Sequence, residues 1–187
     1  MKKKKKGLAI GNSDFKEIIQ ENGYYIDKTK FIEDLLEDLS KVKLFTRPRR
    51  FGKTLNLSML KYFFDVKNAE ENRKLFENLY ISKSEYMENQ GQNPVILISL
   101  RNAEAENWED SFFNIKNLVK SLYKQFQYIK DKLDEFDLED FLSIVKDKDN
   151  ADWENSLKNL SRYLYEYYGK KVIILIDEYD TPMTSAW

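Results

Sequence analysis

The sequence contains no cysteine and no histidine among its 187 residues. Without cysteine the chain forms no disulfide and has no thiolate nucleophile or thiolate metal ligand. Without histidine it has no histidine-based catalytic triad and no imidazole ligand for zinc. Any general base must therefore be a carboxylate, a lysine or a tyrosine.

Long apolar runs are missing as well, and none approaches the roughly 20 residues of a membrane-spanning helix. The lysine run at residues 2–6 is followed by only Leu8, Ala9 and Ile10 before polar sequence resumes. An export signal needs an apolar core of roughly 7 to 15 residues. We therefore expect a solvated lysine-rich terminus, no membrane association and a cytoplasmic location.

Neither sign of charge is in excess, since 31 basic and 32 acidic residues give a net charge of −1. This balance does not favour a surface dedicated to nucleic acid. Apolar residues make up 42% of the chain, which is enough for one domain with a sizeable core.

Residues 47–54 form a basic turn between an apolar segment, 42–46, and a helix-prone segment, 55–60. The turn reads Arg47-Pro48-Arg49-Arg50-Phe51-Gly52-Lys53-Thr54. A strand, a tight turn ending in Gly-Lys-Thr and a helix are the layout of a phosphate-binding loop. The amides and the dipole of a helix start attract anions. The sequence departs from the general pattern at one position, where Arg47 replaces the first glycine.

This loop predicts a nucleotide site with a metal ion. Lys53 would reach the outer phosphates, and the Thr54 hydroxyl would bind Mg²⁺. Arg49 and Arg50 would bind phosphate, contact a neighbouring subunit or touch nucleic acid, or they are simply solvated. The predicted nucleotide-binding residues are Arg49, Arg50, Phe51, Gly52, Lys53, Thr54 and Leu55.

A second candidate segment lies near the other end of the sequence, where the apolar run 172–176 ends in Asp177 and Glu178. Such a run predicts a parallel strand buried on both faces, with Asp177 at the carboxyl edge of the sheet, where α/β folds bind ligands. Asp177 would hold Mg²⁺ through water, and Glu178 would orient or deprotonate an attacking water. The alternative is a core strand that ends in solvated acids. Asp180 would extend the magnesium shell or, as we favour, cap the turn before Pro182.

The remaining patterns predict a parallel α/β sheet with interspersed helices. Apolar runs place strands at 42–46, 94–100 and 172–176. Helical periodicity places three long helices at 107–131, 135–146 and 151–168, the last ending at Gly169. Near the start, Asp14 and Glu17 predict a capping box. Asp27 is predicted to cap a helix whose apolar face consists of Phe31, Ile32, Leu35, Leu36 and Leu39.

Four segments resemble one known family: residues 11–18, residues 24–29, residues 44–54 including the run from Arg47 to Thr54, and residues 175–182. The chain resembles the AAA-ATPase-like family of bacterial proteins, which is related to the archaeal and signal-transduction branch of P-loop ATPases. In that family an arginine at the position of Arg47 is usual. The resemblance implies a P-loop NTPase fold, a three-layer αβα arrangement with a parallel sheet. It also implies ATP and Mg²⁺ as ligands.

The resemblance further implies parts that lie outside this sequence. Family members usually continue with more strands, a sensor region and a helical lid, and many carry a restriction-endonuclease-like domain. We therefore expect 1–187 to be the N-terminal part of an AAA-ATPase-like domain, with a helical lead-in at 1–40 and the Walker A to Walker B core at 41–187. Related ATPases often place adenine near the segment 24–29, although packing of Tyr24 and Tyr25 on the sheet edge is favoured.

The sequence therefore predicts a domain that binds ATP with Mg²⁺ and hydrolyses it weakly, with Glu178 and Lys53 in catalytic roles. One alternative is a nucleotide-gated scaffold that does not hydrolyse ATP. Another is a nucleic-acid-binding protein that uses Arg47, Arg49, Arg50 and the lysine run, and a third is an inactive remnant. Open strand edges would favour self-association.

Overall fold

The computed structural model describes residues 7–46, residue 48 and residues 51–181. Three arginines of the predicted loop, Arg47, Arg49 and Arg50, lie outside the described residues, and so does Pro182. The fold is mixed α/β with a two-stranded parallel sheet. Contacts divide it into two compact units between Val95 and Ile96. In the described part of the chain, no helix combines the length and the apolar character needed to cross a membrane.

The first unit is mostly helical. Its α-helices are α1 (Phe15–Gln20), α2 (Lys30–Glu37), α3 (Lys53–Phe64) and α4 (Ala69–Arg73). Short 3₁₀ turns follow at Lys74–Phe76, Tyr80–Lys83 and Glu85–Asn89. Its core is aromatic, because the buried ring of Phe76 lies 5.1 Å from that of Phe15 and 5.3 Å from that of Phe63. These contacts join α1, α3 and the turn after α4.

Half of the predicted capping box at α1 is confirmed. The Asp14 carboxylate accepts a hydrogen bond of 3.0 Å from the Glu17 amide. The Glu17 side chain does not return the bond, because the Asp14 amide donates to the Asn12 side-chain oxygen at 2.8 Å. The Glu17 carboxylate accepts from the Asn12 amide group at 2.9 Å.

The prediction that Asp27 caps α2 was wrong in register. The N-cap is Thr29, and Asp27 accepts bonds from the Thr29 amide and hydroxyl at 2.9 and 2.7 Å. Helix α2 also ends earlier than the apolar spacing predicts, so Leu39 lies beyond it and is 96% exposed. The physical reason is local, since Asp38 accepts from the Ser40 amide at 2.8 Å and this turn competes with helical pairing.

The predicted strand at 42–46 is absent from the described structure. Val42 and Leu44 are 87% and 64% exposed rather than buried in a sheet. A strand exists only when another backbone supplies its ladder of hydrogen bonds, and β-forming side chains cannot replace that partner. The apolar composition of the segment was therefore an insufficient signal.

The second unit packs three helices against the sheet. The strands are β1 (Val95–Ser99), which spans the division between the units, and β2 (Ile173–Asp177). The helices are α5 (Trp108–Gln125), α6 (Glu135–Lys146) and α7 (Ser156–Tyr168), with 3₁₀ turns at Arg101–Ala103 and Gln127–Lys132. The fully buried core side chains include Ile96, Ile129, Phe141, Leu160 and Leu164.

Two of the three predicted strands are confirmed within one or two residues, but β2 is not buried on both faces. Leu175 and Asp177 are buried, whereas Ile174 and Ile176 are 40% and 43% exposed. Strand side chains alternate between faces, so one face of β2 packs on the core and the other remains accessible. An unbroken apolar run predicts burial on both faces, and only half of that prediction holds here.

Of the predicted helices, α6 is confirmed and its two neighbours are shorter than predicted. Helix α5 ends at Gln125 and gives way to the tighter turn Gln127–Lys132. Helix α7 begins only at Ser156, because Asp152 accepts from the Asn155 amide at 3.1 Å and holds the preceding residues in a turn. Gly169 ends α7 in a left-handed conformation with φ of 62°, as predicted.

Candidate functional site

The described part of the predicted loop ends in a left-handed glycine at the start of α3. Gly52 is the N-cap residue, with φ of 75°, and its carbonyl accepts the first helical bond from Asn56 at 2.9 Å. The left-handed region is open to glycine but strained for other residues. Helix α3 therefore begins at Lys53, and the predicted residues Gly52, Lys53, Thr54 and Leu55 are all half-buried there. Phe51 is 61% exposed.

A cavity of about 310 Å³ opens beside this helix start. Three stretches of the first unit form its walls: residues 8–12, residues 24–28 and the beginning of α3. The lining side chains are mainly apolar. They belong to Leu8, Ala9, Ile10, Asn12, Ile18, Tyr24, Tyr25, Ile26, Lys28, Gly52, Leu55 and Asn56.

Hydrogen bonds between α1 and α3 hold the walls of the cavity together. The Tyr62 hydroxyl donates to Asp14 at 2.9 Å, and the Phe15 amide donates to the Ser58 hydroxyl at 3.0 Å. Burial and the hydrogen bond to the Asp14 carboxylate both raise the pKa of Tyr62, so its hydroxyl stays protonated and continues to donate. The N-terminal segment is thus fixed against the helix that carries the phosphate loop.

A close turn joins the two N-terminal stretches. The Tyr24 amide donates to the Gly7 carbonyl at 2.7 Å, and the Gly23 amide donates to the Ile18 carbonyl at 2.8 Å. A Cβ atom on Gly23 would lie only 2.9 Å from the Ile18 carbonyl oxygen, which makes glycine necessary at this position. The turn brings residues 8–12 and 24–28 into the same cavity wall.

The two adjacent tyrosines have different environments. Tyr25 packs its ring edge-on against Phe15 at 5.2 Å, and its hydroxyl contacts the Met59 sulfur at 3.2 Å. Burial raises the pKa of Tyr25 to about 12. Packing is therefore confirmed for Tyr25, although its neighbours are α1 and α3 rather than a sheet edge. Tyr24 and Ile26 are 59% and 64% exposed and face the cavity.

Sequence reasoning missed a positive charge next to the loop. The Lys28 ammonium lies 4.0 Å from the position that a Cβ atom on Gly52 would occupy. Its neighbours in sequence fix its backbone, because Asp27 accepts from the Tyr80 amide at 2.6 Å and Thr29 accepts from the Ile81 amide at 3.1 Å. The available signal was a lysine between two side chains that commonly bond to backbone amides.

In the second unit, the carboxyl end of β2 carries the predicted acidic pair. Asp177 is only 5% exposed, and its carboxylate accepts from the Glu178 amide at 3.1 Å. Its carbonyl accepts from the Leu100 amide at 3.0 Å, which joins the ends of β1 and β2. Glu178 has a positive φ of 53°, a conformation that costs a non-glycine residue about 1–2 kcal/mol. Strain of this kind is concentrated at functional sites.

Arg101 forms a forked ion pair with Glu178, and the sequence analysis did not identify it. Its Nε donates to both carboxylate oxygens at 3.2 Å, and its Nη2 donates to Oε1 at 3.0 Å. These bonds raise the pKa of the Arg101 guanidinium. The available signal was positional, since Arg101 follows one parallel strand and Glu178 follows its neighbour, so both leave the same sheet edge.

The structure does not gather three or more acidic side chains into a metal-binding group anywhere in the described ranges. Asp180 is exposed beside a turn that the Thr181 amide closes by donating to the Glu178 carbonyl at 3.1 Å. Of the two predicted magnesium ligands, Thr54 belongs to the first compact unit and Asp177 to the second. Their joint role remains a prediction.

These features define a mixed α/β protein. One helix has a glycine N-cap and lies beside a cavity, and the end of one strand carries two adjacent carboxylates. The chain belongs to the AAA-ATPase-like family, because the family model described as "Predicted AAA-ATPase" matches residues 9–187.

A curated relative is similar to nearly all of the chain. It is described as "Uncharacterized protein in vnfD 5'region" from Azotobacter chroococcum mcd 1, and it is 28% identical over 180 residues. The alignment covers 96% of this chain but only 30% of that protein, so the chain spans less than a third of the relative's length. No solved structure matches the chain.

Proposed function

We propose that this chain binds ATP with Mg²⁺ as part of a P-loop NTPase domain with a three-layer αβα fold. The observation that carries the proposal is the left-handed Gly52 at the start of α3, directly beside the cavity. A helix start of this kind presents amides and a positive dipole end to an anion. Membership of the AAA-ATPase-like family supports the same ligand class.

The base and sugar of the nucleotide would occupy the cavity. Its volume of about 310 Å³ lies in the range of small-molecule sites, and such sites combine apolar walls with a few polar groups. Tyr24 and Ile26 would cover the base, and Asn12 and Asn56 offer amide groups for orientation. The phosphates would then extend toward Gly52 and Lys53, with the ammonium of Lys28 close by.

The Thr54 hydroxyl and the Asp177 carboxylate are each oxygen donors of the kind that Mg²⁺ prefers, a hard cation that keeps several waters. Thr54 would bind the ion through its hydroxyl and Asp177 through a water. When bound, the ion neutralises charge on the outer phosphates. Arg49, Arg50, Phe51 and Leu55 complete the proposed nucleotide-binding segment.

Hydrolysis would use Glu178 as the proton acceptor. The oxygen of a water attacks the γ-phosphorus, the bond from that phosphorus to the bridging oxygen of ADP breaks, and the water proton moves to the Glu178 carboxylate. ADP and inorganic phosphate leave, and Glu178 returns the proton to solvent. Lys53 stabilises the charge on the transferring phosphoryl group.

The test of nucleotide binding is a calorimetric titration of Mg·ATP into the wild-type protein and the Lys53→Ala variant. Charge-assisted hydrogen bonds are worth about 1.5–3 kcal/mol, so the variant should lose at least about tenfold in affinity. Lys61→Ala is the matched control, since Lys61 lies on the same helix but in its last turn, away from the helix start that would hold the phosphates. Equal affinities in wild type and Lys53→Ala would refute the assignment.

One observation favours a second candidate, a nucleotide-gated scaffold that does not hydrolyse ATP. The carboxylate that would accept the water proton is already engaged by Arg101. A single-turnover assay separates the candidates. A hydrolase releases phosphate from bound ATP, whereas a scaffold returns ATP intact.

A further inference from the structure

We propose that Asn56 selects the base of the bound nucleotide, because its side-chain oxygen accepts a hydrogen bond from the 6-amino group of adenine. The inference rests on the proposed function, since it takes the cavity beside α3 as the site of the base. It deepens that function by naming the residue that distinguishes a 6-aminopurine from other bases. Every residue that it uses lies in the first compact unit.

The apolar walls of the cavity hold a flat base without distinguishing one base from another. Leu8, Ile10 and Ile26 line it and offer van der Waals contact only. Discrimination between bases that differ in a polar group needs a polar partner in the site, because the wrong base leaves that partner unpaired. Among the described residues, the side-chain amides that line the cavity are those of Asn12 and Asn56.

The Asn12 amide is already engaged within the protein. Its Nδ2 donates to the Glu17 carboxylate at 2.9 Å, and its Oδ1 accepts from the Asp14 backbone amide at 2.8 Å. Asp14 is the N-cap of α1 and Glu17 lies in its first turn. Both ends of the Asn12 amide therefore hold the start of this helix, and Asn12 is a structural part of the cavity wall.

The Asn56 side chain has no such engagement. Its backbone amide donates to the Gly52 carbonyl at 2.9 Å, so the residue is fixed in the first turn of α3. Its side chain is half-buried beside the cavity and forms no hydrogen bond with another residue of the described chain. An amide that is partly withdrawn from water loses hydrogen bonds, and a ligand with a matching polar edge restores them.

The position of Asn56 on the helix suits contact with a base. Residues four apart in a helix lie on the same face, about one turn or 5.4 Å along the axis. Asn56 is therefore one turn beyond Gly52, where the Lys28 ammonium lies 4.0 Å from the position of an added Cβ atom. With the phosphates at Gly52 and Lys28, the base is the part of the nucleotide that reaches Asn56.

The chemistry of the amide matches adenine. Adenine presents its 6-amino donor next to a ring-nitrogen acceptor, and asparagine pairs with both through one oxygen and one N–H group. Oδ1 of Asn56 accepts from the amino group, and Nδ2 donates to the ring nitrogen. Lys28 cannot replace this contact, because an ammonium group has donors but no acceptor. A base without the amino group leaves Oδ1 unpaired in the cavity.

The test compares calorimetric titrations of Mg·ATP and of purine riboside triphosphate, which differs from ATP only in lacking the 6-amino group. Wild type should bind ATP about threefold to tenfold more tightly, the factor that one hydrogen bond contributes. Asn56→Leu has a similar shape but no polar group, so it should bind both nucleotides equally. Asn56→Ala carries the test if Asn56→Leu does not fold, since alanine is the strongest helix former.

Two control variants remove other polar groups that line the same cavity. Asn12→Leu removes the second amide, and by loosening the cavity wall it should weaken the binding of both nucleotides to the same degree. Tyr24→Phe removes a hydroxyl group and keeps the ring. Both variants should retain the wild-type preference for ATP over the analogue.

Three outcomes would overturn the assignment of Asn56 alone. These are equal affinities of wild type for the two nucleotides, a preference for ATP that persists without the Asn56 amide, and loss of the preference in either control variant. Failure of the proposed function has a different result, because neither nucleotide then binds saturably to wild type. That result would overturn the proposed function and the role of Asn56 together.

Discussion

The two halves of the proposed site, one in each compact unit, differ in what they would offer a nucleotide. The start of α3 offers a left-handed glycine, a cavity and nearby lysines, all of which suit binding. The end of β2 offers one buried carboxylate and one that an arginine already holds. Under the proposed function, affinity would depend on the first region and turnover on the second. Substitutions in each region should therefore change one property without the other.

The largest expected effect is on turnover, from Glu178→Gln. Loss of a general base typically lowers the rate by about 10²- to 10⁴-fold. ATP affinity should be unchanged, since the change lies in the acidic half and keeps the shape of the side chain. Phosphate release in a single turnover and calorimetric titration measure the two properties. Equal losses in both would contradict the division between the halves.

A smaller effect, confined to affinity, is expected from filling the cavity with Ile26→Trp. Ile26 lines the cavity, and the larger ring would occupy the space assigned to the base. Poor packing of this kind costs about 1–3 kcal/mol, so affinity should fall about tenfold. Hydrolysis at saturating ATP should stay at the wild-type rate.

The matched control for this substitution is Leu39→Trp, at an exposed position of the same unit that does not line the cavity. Its ATP affinity should equal that of wild type. A drop in kcat at saturation for Ile26→Trp would show that the cavity influences chemistry as well as binding.

The smallest effect is expected for Arg162→Ala, which should change stability alone. Arg162 on α7 and Asp137 on α6 form an ion pair at 2.6 Å, in which the arginine side chain is 44% exposed and the aspartate side chain 14%. The Arg162 guanidinium lowers the pKa of Asp137. Loss of a partly exposed pair costs on the order of 1 kcal/mol of unfolding free energy.

The sign of the pH dependence follows from that shift. The pKa of Asp137 is lower in the folded than in the unfolded protein. The stabilisation from the ion pair is therefore present above the unfolded pKa of about 3.9 and is lost as the pH falls through the folded pKa. Denaturant unfolding of wild type and variant should differ at neutral pH and converge in acid. A difference that persists in acid would contradict this account of the pair.

Local patterns in the sequence predicted the elements whose causes are local. β1, β2 and α6 follow from apolar runs and periodicity, and the end of α7 follows from Gly169. The segment 42–46 failed because a strand depends on a partner that its own residues do not encode.

The candidate site, like the fold, was predictable only where its signal lies in a short stretch of sequence. The positions of Gly52 and Asp177 could be read from short motifs, but the cavity walls and the Arg101–Glu178 pair could not. Their contacts join residues that are far apart in sequence, so they arise only from the packing of α1 on α3 and of β1 beside β2. Each of these contacts required knowledge of which elements are neighbours.

The most direct test of the central claim is calorimetric titration of Mg·ATP into the wild-type protein, repeated with Lys53→Ala. The account predicts saturable binding by wild type and at least about tenfold weaker binding by the variant. No saturable binding by wild type, or equal binding by both proteins, would contradict it.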